Sequence, residues 1–476
     1  MTRGASARGA DGAPRILSKS DCEALAHRVF AFAAGGGETR CRILTWSDGE
    51  LRWARNRASL SSDRRDIVIT VVRFVHGQPS SATTNQLDDE SLHAAVRDAE
   101  RAAQFYLPKR LREVEPPPPI LDRPATAIWS DATFSLTTVE RGQIVEKLIQ
   151  PAEQKGLLSF GYLEVRGGAL MRVSSLRPDG PYPPWDQPYA AWTQSQCSLT
   201  VRDSAGAASG WAGLSSYDWH SLDPSALGAR AVEKCEASRN PVAIEPGRYT
   251  VILEPQAVAD LVSFIPWDRE AAERGGPWFL APDDALGLGR SKLGLKVMDS
   301  RITFSHDPAD PQLGILPVPG MRPVTWVDHG VLTALPYPRD YALRWQLGDA
   351  GVRGPIGYRM SGGTTSLDEM IRTTQRGLLV TRFFDISQLD IESNLLTGLT
   401  RDGLWLIERG KISKAVKNFR FTESPLFVLN SIEQLGEPVR VFSPVKDPED
   451  DLALTPAIVP PIKARDFSFT SLIDAI

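Results

Sequence analysis

Histidine and cysteine are scarce in this chain: 476 residues carry six of the one and four of the other. Cys22, Cys41, Cys197 and Cys235 are widely spread and form no CxxC pair. That spacing excludes a dense disulfide framework and a cysteine-rich zinc module, and four separate thiols fit a reducing cytoplasm. No apolar run approaches the ~20 residues of a membrane helix. There is no excess of positive charge either. A net charge of −4 supplies no global attraction to nucleic acid. Residues 1–15, MTRGASARGADGAPR, lack the apolar stretch of a signal peptide and read as a disordered lead. No GxSxG elbow, GxGxxG loop, Walker lysine or repeat of solenoid length occurs.

What is present is ordinary globular material, 42% hydrophobic and 24% charged, enough for a sizeable core. SKSDCEALAHRVFAFAA reads as a helix after a Ser/Asp start. RILTWSDGELRWARN reads as two short strands with Asp48-Gly49 as their turn, and DIVITVVRFVHGQPSSATTN as a second pair bending at His76-Gly77. LDDESLHAAVRDAERAAQ is a helix capped by Asp88 or Asp89, with Leu92, Val96, Ala99 and Ala103 as its buried stripe. The proline run Pro116 to Pro119 marks a linker. Beyond it, Thr137 and Glu140 form a capping box, and Asp223-Pro224 opens another helix. RYTVIL is a strand, Glu254-Pro255 a turn, and QAVADLVSFI an apolar helix. SLDEMIRTTQRG is the clearest helix in a strand-rich remainder. In TGLTRDGLWLIERGKISKAVKNFRF, Thr400 to Gly403 and Glu408 to Lys411 read as turns around a strand core. Helices and hairpins in segregated runs predict an α+β fold. The expected regions are 16–115, 120–240 and a strand-rich 241–476.

The layout resembles the TldD/PmbA family, also called modulators of DNA gyrase. The likeness rests on GQPSSATTNQLDDESLHAAVRDAERAAQ, EPGRYTVILEPQAVADLV, SGGTTSLDEMIRTTQRGLLVTRF and TGLTRDGLWLIERGKISKAVKNFRF, in that order. The resemblance implies peptide chemistry. Its catalytic branch carries an HExxxH zinc motif on the helix after the strand matched by RYTVILEP, with a further cysteine ligand near the C-terminus. Its other branch, PmbA or TldE, lacks these ligands and pairs with a catalytic partner to process small proteins and peptides.

A hydrolytic zinc needs about three protein ligands, an open position for water and a neighbouring base. The window PQAVADLVSFIPWDREAAERGG holds no histidine; Leu261 to Trp267 stand where the motif belongs, and Pro266 ends or kinks the helix. The last cysteine is Cys235. No catalytic, cofactor-binding or metal-binding residue is therefore assigned, and zinc is expected in a TldD-like, HExxxH-bearing partner. His306 and His329 are the only histidines beyond residue 240, and His329 reads as a turn residue. Asp268, Glu270 and Glu273 read as a solvated helical face. Asp283-Asp284 and Glu449, Asp450 and Asp451 read as loops. Lys411, Lys414, Lys417 and Arg420 repeat every three residues, which on a strand makes no single basic stripe. Residues 361–365, SGGTT, form a turn. The aromatic and proline clusters GPWF and PYPPWDQPY suit either a peptide groove or packing under loops. The sequence thus favours a zinc-free PmbA/TldE-like subunit, with unfolded peptide as substrate and neither nucleic acid nor membrane as partner. A self-standing peptidase with a divergent site and a DNA-topology modulator remain the alternatives.

Overall fold

The computed structural model describes residues 16–33, 37–75, 78–103, 128–175, 187–267, 276–282, 289–315, 322–336, 357–443 and 455–473. The fold is α+β, as the segregated helices and hairpins predict. The first sheet holds β1 (Thr39–Ala54), β2 (Arg57–Val75), β3 (Gln78–Thr84), β4 (Leu158–Ser174), β5 (Gln187–Arg202) and β6 (Ser209–Ser216). Their order is β3-β2-β1-β4-β5-β6, antiparallel throughout.

Strand periodicity decides which side the helices cover. Cys41, Ile43, Leu51 and Trp53 of β1 share one face. Helices α1 (Lys19–Phe32) and α2 (Asp89–Ala103) pack on the first pair of these residues, α4 (Thr138–Gln154) and α5 (Pro224–Ala237) on the second, and the short α3 (Asp131–Phe134) lies between. The helix starts follow their sequence signals. Ser18 with Asp21 and Thr137 with Glu140 form capping boxes, Ser91 N–H donates to Asp88, and Asp223 caps α5 before Pro224. The α2 stripe Leu92, Val96, Ala99 and Ala103 is buried as expected, with Ala95 added.

Asp48-Gly49 is not a turn. β1 runs straight through it, and the chain reverses at Arg55-Asn56, both left-handed at φ 50° and 64°. Asp48 lies opposite Arg64 on β2 and Arg166 on β4 and pairs with both, at 2.7 and 3.7 Å. This cross-strand row overrides the local Asp-Gly preference. The expected bend at His76-Gly77 lies outside the described residues, though Val75 and Gln78 on either side are paired.

The remaining strands are β7 (Gly247–Leu253), the small hairpin β8 (Phe279–Pro282) and β9 (Gly289–Ser291), β10 (Phe304–His306), β11 (Val324–Asp328), β12 (Val331–Leu332) and β13 (Tyr358–Met360). They continue as β14 (Arg376–Asp390), β15 (Leu395–Glu408), β16 (Lys411–Ala415), β17 (Phe419–Glu423), β18 (Ile432–Leu435), β19 (Val439–Arg440), β20 (Ala457–Val459) and β21 (Ile462–Leu472). Helices α6 (Pro255–Val262), α7 (Leu367–Arg372) and α8 (Pro425–Asn430) are interspersed. β7, β14, β15, β17 and β21 pair in a closed ring, a small barrel. Alternate residues fill it: Val251, Leu253, Leu378, Val380, Phe421, Phe467 and Phe469 point inward. Ile252, Leu379, Trp405 and Ile407 point outward beneath Met370 of α7. The other sheet runs β12-β11-β10-β13-β20-β19.

Within this barrel Glu408 to Lys411 is a tight turn as expected, with Arg409 and Gly410 at φ 53° and 75°. Thr400 to Gly403 is not. β15 passes through it, and Asp402 and Gly403, at φ 56° and 137°, form an irregularity in the ladder with β14.

Candidate functional site

Helix α6 follows β7, where the family likeness expects catalytic ligands. Glu254 precedes it and Pro255 occupies its first position. The helix ends at Val262, short of the expected QAVADLVSFI, because Ala257, Val258, Leu261 and Val262 are all drawn into the core and Pro266 bars continuation. Gln256 and Asp260, one turn apart, remain as its polar side chains. Gln256 Nε2 donates to Asp260 Oδ1 at 2.9 Å and to the Phe442 carbonyl at 3.2 Å, and Gln256 Oε1 accepts from Phe442 N–H at 3.0 Å. Asp260 Oδ2 accepts from Phe383 N–H at 2.9 Å.

Burial pushes the Asp260 carboxyl up to about 6, against the pull of Gln256, the Arg382 charge and the Phe383 amide. The Tyr358 hydroxyl is raised as well, by burial and then by the Asp260 charge. Arg382 lies over the Trp211 ring at 4.7 Å and 3.8 Å from Asp402. Trp211 meets Phe442 edge-on, and Ser443 N–H donates to Ser215 Oγ at 3.0 Å. This polar knot ties α6 and the barrel to β6 of the first sheet. A carboxyl poised near neutrality can exchange protons, but both Asp260 oxygens are engaged in positioning. Sequence reading missed Asp260, whose one signal was being the only acid in PQAVADLV.

The expected motif window is packed with apolar groups. Leu261, Val262 and Ile265 are buried, and the Pro266 carbonyl accepts from Trp278 Nε1 at 2.9 Å. Trp267 stacks on Trp278 at 5.2 Å and sits 5.6 Å from Phe304 and 6.1 Å from Trp326. Indoles and phenyl rings offer zinc no donor, so the residues here do not fit the metal. His306 is buried on β10 and bonded through Nδ1 to the Gly357 carbonyl, and burial lowers its pKa. His329 is exposed in the β11–β12 turn at φ 47° and contacts Asp328 at 2.7 Å. The two occupy opposite ends of paired strands. Among the described residues no group of three or more His, Cys, Asp or Glu can hold a metal. Asp268, Glu270, Glu273, Asp283, Asp284, Glu449, Asp450 and Asp451 lie outside those residues. Lys411 and Lys414 are exposed on β16, Lys417 is exposed beyond it, and Arg420 is half-buried on β17. They therefore form no continuous stripe.

The outside of the barrel carries a groove of about 540 Å³ between α5, α7 and the start of α6. Leu367, Ile371, Leu379 and Trp405 form its floor, and charged side chains from α5, α7 and the segment before β19 stand around it.

Residues 246–471 match the family described as PmbA/TldA metallopeptidase C-terminal domain. No curated protein sequence matches. Three solved structures share the fold at 17% identity. A modulator of DNA gyrase from Bacteroides thetaiotaomicron covers 94% of this chain and 99% of its own, with a TM-score of 0.76. TldE from Thermococcus kodakarensis covers 95% and 100%, at 0.74. A modulator of DNA gyrase from Thermotoga maritima covers 94% and 100%, at 0.73.

Proposed function

The chain belongs to the TldD/PmbA family, and from that premise we propose that it is the PmbA/TldE-like, zinc-free subunit of a two-chain metallopeptidase that processes small proteins and peptides. The observation carrying this reading is the exchange of chemistry for packing after β7. Where the catalytic branch of the family places an HExxxH motif, this chain seats Leu261, Val262 and Ile265 in its core and closes over them with Trp267 and Trp278. A peptidase retains its shell without its ligands when its selectable contribution lies in surfaces. Those surfaces would shape the chamber and hold extended peptide while the partner supplies activated water and oxyanion stabilisation.

Co-expression with an HExxxH-bearing homologue, size-exclusion chromatography and zinc analysis test the reading. The expected result is a single complex whose zinc resides in the homologue. Peptidase activity should be absent from the lone chain, raised in the mixture and abolished by a ligand mutation in the homologue. A lone chain that cleaves peptide, or stoichiometric zinc in it after mild chelation, overturns the proposal.

A further inference from the structure

The groove outside the barrel has an apolar floor and an excess of acid at its rim. Helix α5 buries Leu227, Ala231 and Val232 and turns Arg230, Glu233, Lys234 and Ala237 into the groove along one stripe. Lys234 and Glu254 pair at 2.6 Å, and both are largely buried, so they cancel. Trp405 donates its indole N–H to the Ala237 carbonyl at 3.0 Å and offers the groove only an apolar ring. Ile412 and Val439 stand at the edges, 47% and 45% exposed. Exposed aliphatics rimmed by charge mark interaction surfaces, and the groove's volume falls within the roughly 300–1,000 Å³ of ligand pockets.

The charges select the occupant. Glu233, Asp368 and Glu437 have no ion-pair partner among the described residues, and Arg230 alone opposes them. The lysines of β16 do not redress the balance. Ile412 and Ala415 lie opposite Ile407 and Trp405 on the groove side, whereas Lys411 and Lys414 lie opposite Glu408 and Leu406 on the other face.

We propose that this groove binds an unfolded peptide segment in which a large apolar residue is flanked by lysine or arginine. The apolar side chain enters over Leu379 and Trp405, and the flanking cations meet Glu233, Asp368 and Glu437. The assignment deepens the peptide-handling reading and rests on it for the class of ligand, while the composition of that ligand comes from the groove.

The test is fluorescence anisotropy on the full chain with two labelled peptides, Gly-Lys-Leu-Lys-Gly and Gly-Glu-Leu-Glu-Gly, at low and high salt. The lysine peptide should bind more tightly and lose affinity with salt. Glu233→Lys/Glu437→Lys should weaken it about tenfold and favour the glutamate peptide. Ile412→Ser should weaken both, and Lys414→Ala neither. All the altered residues are exposed, so unchanged melting verifies the fold. Equal binding of the two peptides, no binding, or indifference to the double reversal overturns the groove assignment. A chain that binds the lysine peptide but forms no complex with the homologue keeps the groove and removes the subunit reading. A chain that forms the complex but binds no peptide does the reverse.

Discussion

Asp260→Asn isolates the charge inside the knot that joins α6 to the barrel and the first sheet. The wild-type carboxyl is raised from 3.8 to about 6, chiefly by burial. An acid raised in the folded state favours the protonated form. Its contribution is best at low pH, falls as pH rises from 3.8 through about 6, and is lowest above that. Two pKa units and a fraction, at about 1.4 kcal/mol each, give a cost of roughly 3 kcal/mol for the ionised side chain at neutral pH. Asparagine cannot ionise. Its amide nitrogen would face Gln256 Nε2, which the two Phe442 bonds hold in place, so one hydrogen bond is lost at about 1 kcal/mol whatever the pH. The pH-dependent part is therefore separable. Between pH 5 and pH 8 the variant should gain about 1.4 kcal/mol on wild type, the share of the cost that falls in that window. Urea unfolding of both proteins at the two pH values measures this double difference. A variant offset from wild type by the same amount at pH 5 and pH 8 would show that the Asp260 carboxyl is not raised, and the account of the knot would fail.

Two further predictions concern stability, both read by denaturant unfolding. Asp48→Ala removes the acid shared by Arg64 and the buried Arg166, and should cost about 1.5 kcal/mol, since Arg166 keeps Glu164 at 2.8 Å and the loss is that of a charged hydrogen bond; a loss within experimental error would refute the cross-strand row. Gly403→Ala places a methyl group against Thr381 and Trp405 at φ 137°, and should cost about 2 kcal/mol or more. Gly142→Ala, in open space on α4, should be neutral or gain up to about 1 kcal/mol. Equal effects at the two glycines would contradict the strained irregularity in β15.

The local grammar of this protein was legible without its structure. The Ser/Asp start of α1, the capping box at Thr137 and the Asp223-Pro224 helix start satisfy their own backbone groups within a few residues, so sequence alone determines them. The Glu408–Lys411 turn was also legible, although its Arg409 and Gly410 N–H groups donate to the Gln375 and Thr374 carbonyls. The missing histidines of the α6 window were equally plain, because a metal's donors must be named side chains. Tertiary structure decided the rest. Asp48-Gly49 and Asp402-Gly403 carry the same local turn signal as genuine reversals, yet both lie inside strands. Asp48 and Gly49 are paired along both edges, which outweighs a dipeptide's preference, whereas Asp402 and Gly403 are held as an irregularity between the paired stretches on either side of them. Asp260 looked like one acid in an apolar helix until the backbone of Phe383, more than a hundred residues away, was folded against it. The groove has no sequence signature at all. Its walls come from α5, α7 and the segments flanking β19 and β21, and only the closing of the barrel brings them together and leaves the Glu233, Asp368 and Glu437 carboxylates without an ion-pair partner among the described residues.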